Sequence, residues 1–460
     1  MRRPLLHFCP PRGWMNDPNG LVYVEGLYHL FYQYNPNEPK WGSIHWGHAT
    51  SRDLVSWHHH APALYPDPEG LGHVASGSAV VDPMNTSGFA GPTPGPPPVV
   101  AMFSHFPPDG GQVQSLAFSR NGGATWQMFE GNPVLKRPDL ADFRDPKVFW
   151  YPPHRVWVMV LAAGEQVIIY RSPNLRDWAE SSRFGEGAGA HGFVWECPDL
   201  FPIGSRNSGL WCMLVSVQGG APNGGSGTQY FLGHFDGEVF SARTDPNPRW
   251  IGWGPDDYAG VSWSNLGSRR VTVGWMSNHL YAHEVPTEGW RGSMTLPREL
   301  FLIPSTPSAG PRLGAQPVSE LETYRRPAGT LAPTASRADE MGDCFEIDAE
   351  LHGSGSSLEF ITRKGETIRI GYDEAEGGWF VDTRATDGPS DWFRRKVFAP
   401  GLYPAATARH VRVYFDGTSV ELFADGGATL LTTLVFTAGK IDRLEARGAA
   451  GTVYAYAKVR

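Results

Sequence analysis

Ser51-Arg52-Asp53-Leu54-Val55-Ser56-Trp57 returns, with changes, as Ser119-Arg120-Asn121-Gly122-Gly123-Ala124-Thr125-Trp126 and as Ser172-Pro173-Asn174-Leu175-Arg176-Asp177-Trp178. Each copy follows an apolar run with a serine, a polar turn and a tryptophan. The copies stand roughly 50 to 70 residues apart, near the period of propeller blades. A weaker relative, His234-Phe235-Asp236-Gly237-Glu238-Val239-Phe240, falls where another blade is due. Between the copies lie apolar, β-rich runs at 99–103, 156–161, 210–215 and 271–276, and no stretch holds a helical period. The first ~300 residues are therefore predicted to form a β-propeller.

Composition agrees. A chain of 460 residues exceeds one ordinary core, so roughly two or three domains of ~150 residues are expected unless a large β architecture absorbs more. Gly 55 and Pro 40, with aromatics at 12% and charged residues at 19%, fit many short strands joined by turns and argue against a helical bundle. The net charge of -8 disfavours nucleic acid or an anionic membrane as partner. Cys9, Cys197, Cys212 and Cys344 are scattered with no C-x-x-C pair, so neither a zinc site nor a disulfide framework is expected. The N-terminus has no apolar h-region and no run nears ~18 apolar residues, which reads as a soluble chain, cytoplasmic as it stands or secreted if a leader was removed.

A change of pattern marks the end of the propeller. Ile303-Pro304-Ser305-Thr306-Pro307-Ser308-Ala309-Gly310-Pro311 reads as a linker, followed by a charged stretch from Ser319 to Arg326 that could form one helical piece. Beyond it, strict alternation appears at Phe345, Ile347, Ala349 and Leu351, at Ile368, Ile370 and Tyr372, and at Val411, Val413 and Phe415. Asp416-Gly417 and Asp425-Gly426 supply hairpin turns around Val420-Glu421-Leu422-Phe423. Short strands with one wet face make a β-sandwich. The division is thus a propeller over 1–303, a linker over 304–326 and a sandwich over 327–460.

Three acidic stretches carry the chemistry. In Trp14-Met15-Asn16-Asp17-Pro18-Asn19-Gly20, Pro18 pushes Asp17 to an extended conformation and Asn19-Gly20 suits a tight turn, so Asp17 is expected at a strand end, facing outwards. Phe143-Arg144-Asp145-Pro146 and Trp195-Glu196-Cys197-Pro198-Asp199 set carboxylates in similar surroundings. Equivalent strands of successive blades converge on the central channel, so the three acids can meet there. Glycosidic bond cleavage needs one carboxylate as nucleophile and a protonated second as acid, ~5–5.5 Å apart when configuration is retained. Indole packing and like charges would raise the pKa of Glu196, beside Trp195, while Arg144 would keep Asp145 ionised. Gln33, on the face of its strand that also carries His29 and Phe31, could share a surface with Asn16.

These motifs resemble glycoside hydrolase family 32, the β-fructosidases that include invertases, levanases and exo-inulinases. The likeness extends to His45-Trp46-Gly47-His48, Ser76-Gly77-Ser78, Met294-Thr295-Leu296-Pro297-Arg298-Glu299-Leu300 and Val420-Glu421-Leu422-Phe423, and so spans nearly the whole chain. The resemblance implies an all-β fold, a five-bladed propeller followed by a C-terminal β-sandwich. It implies Asp17 as nucleophile, Glu196 as acid/base and Asp145 as transition-state stabiliser, with Asn16, Gln33, Trp41, Ser76, Arg144 and Trp275 around the terminal fructosyl unit. One departure stands out: Ala75 precedes Ser76-Gly77 where the family commonly has an aromatic residue.

The expected activity is exo-acting, retaining hydrolysis of sucrose or fructans (levan, inulin), with no cofactor and no metal. His58-His59-His60 is read as a solvated edge, because adjacent histidines on an extended segment point to alternate faces. The loops 91–98 and 219–227 are read as solvated. Two other functions fit the same residues: a fructosyltransferase, with a sugar hydroxyl replacing water, and a non-catalytic fructan-binding propeller. Whether the chain acts as monomer or dimer has no sequence signal.

Overall fold

The computed structural model describes residues 3–456, apart from 93, 109, 206–207, 244, 246, 306–309, 333–335, 340–341 and 403–407. Five antiparallel sheets follow one another along the chain. The first blade contains Gly13–Val24, Leu27–Asn35, His45–Ser51 and His58–Leu64; the second His73–Val81, Val99–Phe106, Val113–Ser119 and two short outer strands. The third runs through Phe143–Tyr151, Val156–Ala163, Val167–Ser172 and Ala179–Phe184, the fourth through Trp195–Pro202, Trp211–Val217, Gly227–Phe235 and Phe240–Ala242. The fifth takes Tyr258–Ser262, Val271–Trp275, Arg298–Ile303 and Arg312–Pro317. Trp290–Arg291 pairs in parallel with Gly13–Trp14 and ties the fifth blade's loop to the first blade. This part of the chain is a five-bladed propeller, as the resemblance implied.

The repeated Ser-to-Trp motif builds one turn three times. Asp53 Oδ1 accepts from the amides of Val55 and Ser56, Asn121 Oδ1 from Thr125, and Asn174 Oδ1 from Arg176 and Asp177. The tryptophan of each copy then closes the turn with its indole N–H, Trp57 on Leu54 O, Trp126 on Gly123 O and Trp178 on Leu175 O, at 3.1, 3.0 and 2.9 Å. In the weaker fourth copy Asp236 plays the same part, accepting from the amides of Glu238 and Val239. An Asx turn at the end of each third strand sets the register of the fourth.

Two six-stranded sheets make the C-terminal sandwich. Phe345, Ile347, Ala349 and Leu351 are buried between them, together with Ile368, Ile370, Val411 and Val413. The boundary differs from the one expected. The stretch 304–326 is not a linker throughout, because Arg312–Pro317 pairs with Arg298–Ile303 as the outer strand of the fifth blade, and Ser319–Thr323 forms a short 3-10 turn. The prolines around it suggested a loop, but a fifth sheet lacking its last strand would leave Arg298–Ile303 unpaired on that side. Residues 306–309 of the expected linker lie outside the described residues. The loop 219–227 is not simply solvated either: Asn223 Nδ2 donates to Phe398 O of the sandwich, and Phe398 N to Asn223 Oδ1.

Propeller and sandwich are locked by buried charges. Arg298, 2% exposed, donates to Asp257 of the propeller and to Glu421 of the sandwich. His7 bonds Asp416 at 2.8 Å and Glu421 at 2.9 Å, and the amides of Leu5, Leu6 and His7 also donate to Asp416. Neutralising Glu421 takes one carboxylate from both Arg298 and His7, which keep Asp257 and Asp416, and costs about 3 kcal/mol for the charged hydrogen bonds lost. Glu421→Gln should accordingly lower the unfolding free energy by about that amount, measured by chemical denaturation. A loss below 1 kcal/mol would show that the charges are not coupled.

The same network fixes a pH dependence. Burial alone would lower the His7 pKa, but Asp416 and Glu421 outweigh it and raise the imidazole to about 9 from 6.5. Burial would raise Glu421, but Arg298 and His7 outweigh it and hold the carboxyl at about 2 from 4.5. The His7 contribution is complete below pH 6.5 and is lost as pH rises through 9; the Glu421 contribution is complete above 4.5 and is lost as pH falls through 2. The melting temperature should therefore peak between these limits and fall on both sides, with His7→Gln flattening the alkaline arm in a melting series across pH.

Candidate active site

Five innermost strands ring the propeller axis, and each is interrupted by the same irregularity. Two residues oppose one on the neighbouring strand at Asn16–Asp17, Ala75–Ser76, Asp145–Pro146, Cys197–Pro198 and Ala259–Gly260. Such a bulge turns side chains out of the alternating register and so re-aims them. Asp145, Cys197 and Ala259 sit there at φ of +67°, +46° and +54°, a left-handed conformation of the kind concentrated at functional sites. Asp17 is thus not at a strand end. It lies within Gly13–Val24, half-buried, where the bulge rather than a tight turn presents it.

The ring explains which residues meet. Arg144, Glu196 and Tyr258 each stand just before the bulge in three successive blades. Arg144 Nε donates to Glu196 Oε1 at 3.0 Å, and Tyr258 O–H donates to Oε2 of the same carboxylate. His279 Nε2 lies 3.7 Å from that Oε2. Asp17 and Ser76 occupy equivalent bulge positions in the first two blades, and Ser76 Oγ donates to Asp17 Oδ2 at 2.6 Å. Gln33 Nε2 donates to the same oxygen at 3.3 Å. Cys197 N donates to Asp145 Oδ2 at 3.0 Å, while its thiol lies 3.6 Å from Asp145 Oδ2 and 3.7 Å from Asp17 Oδ2. The three carboxylates converge.

They line a pocket of about 400 Å³ together with Asn16, Gln33, Trp41, Arg144 and Trp275. Ser76 stands one layer down, against Asp17. Trp14 donates from its indole to Asn16 Oδ1 at 2.8 Å and stacks on His283. Trp41, 43% exposed, forms the outer wall, whereas Trp275 is buried with no partner for its indole N–H among the described residues. Ala75 is buried, its carbonyl taken by Trp46, and Phe106 from the next strand lines the pocket on that side.

The charge distribution reverses one expectation. Burial raises Asp145 to about 7, aided by Glu196 and opposed by Arg144, and burial with the Glu196 charge likewise raises Asp17. Glu196 is lowered instead, because Arg144, His279 and the Tyr258 hydroxyl outweigh its burial. Trp195 does not press on it: alternation turns the indole into the blade core, where its N–H donates to Ala190 O. Arg144 hydrogen-bonds Glu196 and acts on Asp145 only through its charge, too weakly to offset burial, because the bulge at Asp145 separates the two adjacent side chains.

Tyr258, His279, Gln112 and Asp142 were not read from sequence. Gln112 and Asp142 both accept from Arg144 Nη1 and fix it against Glu196. Aligning the blades on their bulges would have found Tyr258, which takes the place of Glu196 in the next repeat; its motif, Asp257-Tyr258-Ala259-Gly260, lacks the proline that marks the other acidic stretches. His58, His59 and His60 lie exposed on the outer strand of the first blade, and no group of three possible metal ligands occurs among the described residues.

Residues 7–314 match the model of the glycosyl hydrolases family 32 N-terminal domain, and 320–459 that of the family 32 C terminal. The chain belongs to glycoside hydrolase family 32. With that it is a retaining β-fructosidase, as the three motifs implied. Among family 32 relatives, a levanase from Bacillus subtilis is 46% identical over 475 residues, covering 98% of this chain and 69% of its own. An extracellular exo-inulinase from Aspergillus niger is 36% identical, covering 96% and 90%. The solved structure of exo-inulinase from Aspergillus awamori superposes with a TM-score of 0.90 at 32% identity, over 100% of this chain and 99% of that one. No helix among the described residues is long and apolar enough to cross a membrane.

Proposed function

We propose that this family 32 enzyme removes terminal β-fructofuranosyl units from fructans and sucrose, with Asp17 as nucleophile, Glu196 as acid/base and Asp145 as stabiliser of the fructosyl ring. The observation that carries the reading is the convergence of the three carboxylates in one pocket whose floor is sealed. Below Asp145 and Ser76 only about 10 Å³ of free space remains among Pro18, Pro146, Pro198 and Val261. A blind pocket takes a chain end and refuses a chain interior, which is exo action.

Asp17 attacks the anomeric carbon while the bond to the leaving oxygen breaks and Glu196 passes its proton to that oxygen. Glu196 then takes a proton from water, the resulting hydroxide attacks the same carbon, and the ester to Asp17 opens. Ser76 and Gln33 both donate to Asp17 Oδ2 and orient the carboxylate for attack, and the Asn16 side chain bonds the same group. Before substrate enters, the proton favours Asp17 and Asp145 over Glu196. Fructosyl hydroxyls donating to Asp145 favour its ionised form, so binding shifts the proton toward Glu196, where the leaving group needs it. The buried Trp275 N–H, without a partner among the described residues, is a remaining donor for the ring.

The test compares initial rates on sucrose, inulin and levan at equal concentrations of terminal fructose, with products identified. Free fructose as the first product from all three supports exo hydrolysis. Early oligosaccharides from levan or inulin would refute it, and oligosaccharides exceeding free fructose at high sucrose would make transfer the main activity.

A further inference from the structure

The propeller axis carries a second cavity. It lies at the far ends of the inner strands of the third, fourth and fifth blades, beyond the sealed floor of the catalytic pocket, and measures about 540 Å³, within the range of ligand sites. Aromatic side chains flank it, among them Phe149, Trp150, Tyr151 and Trp211. At its base the Lys147 ammonium pairs with Asp199 Oδ2 at 3.2 Å, and the amide of Ser262 donates to that oxygen at 2.7 Å. The other oxygen, Asp199 Oδ1, is buried with no partner among the described residues, in a side chain that is fully enclosed. Arg270 closes the rim. Its Nε donates to Pro202 O and its Nη1 to Gly267 O, and Nη2 has no partner among the described residues.

These groups select an occupant. A free cation meets the Arg270 charge at the rim, and a wholly apolar molecule covers Arg270 Nη2 without giving it an acceptor, which is costly once water is excluded. A hydroxyl both donates and accepts. Hydroxyls on one ring can take a hydrogen bond from Arg270 Nη2, while the apolar face of that ring lies against Trp150 or Trp211. We propose that this cavity is a second, non-catalytic saccharide site that holds one neutral sugar unit on the face opposite the catalytic pocket. A polysaccharide held there keeps the enzyme on its substrate between cleavage events.

The test uses the full chain silenced by Asp17→Asn, run through native gels containing levan, inulin or dextran. Two further variants are compared in that background: Arg270→Leu, which removes the rim donor, and Val81→Trp, which fills the cavity without touching an ion pair. Melting curves confirm that each is folded. Retardation by at least one polysaccharide, weakened about fivefold or more by both variants, supports the site. Equal retardation of all three proteins on every polysaccharide would overturn it, since binding would then come from the catalytic pocket, and so would the absence of retardation for the Asp17→Asn protein. Hydrolysis by the unaltered enzyme is scored separately, so failure of the proposed reaction and failure of this site give different results.

Discussion

Asp17→Asn should release fructose about four to six orders of magnitude more slowly than the unaltered enzyme, yet melt no lower. The loss follows from chemistry, since an amide oxygen cannot form the fructosyl ester at a useful rate. The stability follows from electrostatics. Burial and the neighbouring Glu196 charge disfavour the Asp17 carboxylate, so a neutral isostere relieves repulsion while Ser76 and Gln33 keep a polar neighbour. Active sites commonly set function against stability in this way. Fructose release from sucrose and a calorimetric melt check both halves. Near-normal release would remove Asp17 from its role, and a melting temperature lowered by several degrees would show that the carboxylate holds the fold.

Glu196→Gln should lose about two to four orders of magnitude on sucrose, the usual contribution of a general acid, and much less on a fructoside of an acidic phenol. A phenolate leaves without being protonated, so only the deglycosylation half of the acid/base role is missed. Added azide, which attacks the intermediate without base help, should then restore turnover of the phenyl substrate. Equal losses on both substrates would contradict the assignment and point to Arg144 or Tyr258 positioning as the effect, because both hydrogen bonds end on this carboxylate.

Much of this is legible in the sequence. The Ser-to-Trp repeats encode turns closed by local hydrogen bonds, and such turns announce themselves because donor, acceptor and spacing all lie within eight residues. The sandwich alternation held for the same reason at Phe345 to Leu351. What escaped is contact at long range. Glu346 reads as a wet-face residue in its alternating strand but is fully buried, because Arg325, Arg412 and the Tyr456 hydroxyl reach it from elsewhere in the chain. The protonation order in the pocket escaped too. The indole beside Glu196 in sequence points away in space, while the groups that set its charge come from three other segments, at 144, 258 and 279. The last strand of the fifth blade was hidden by its prolines.

The bulge repeated in all five inner strands bears on how such an enzyme can diversify. A regular strand ties each side chain to its face, so exchanging a core residue for a catalytic one disturbs packing. At a bulge two consecutive positions are released from that bond, and the chain here fills them with an amide and a carboxylate, an alanine and a serine, a carboxylate and a proline, a thiol and a proline, an alanine and a glycine. One backbone device, copied five times, gives an asymmetric set of reactive groups on a nearly symmetric frame. Substitutions at these paired positions should change chemistry while leaving the blades in register, and the two held by alanine and glycine at 259 and 260 are the vacant places in that set.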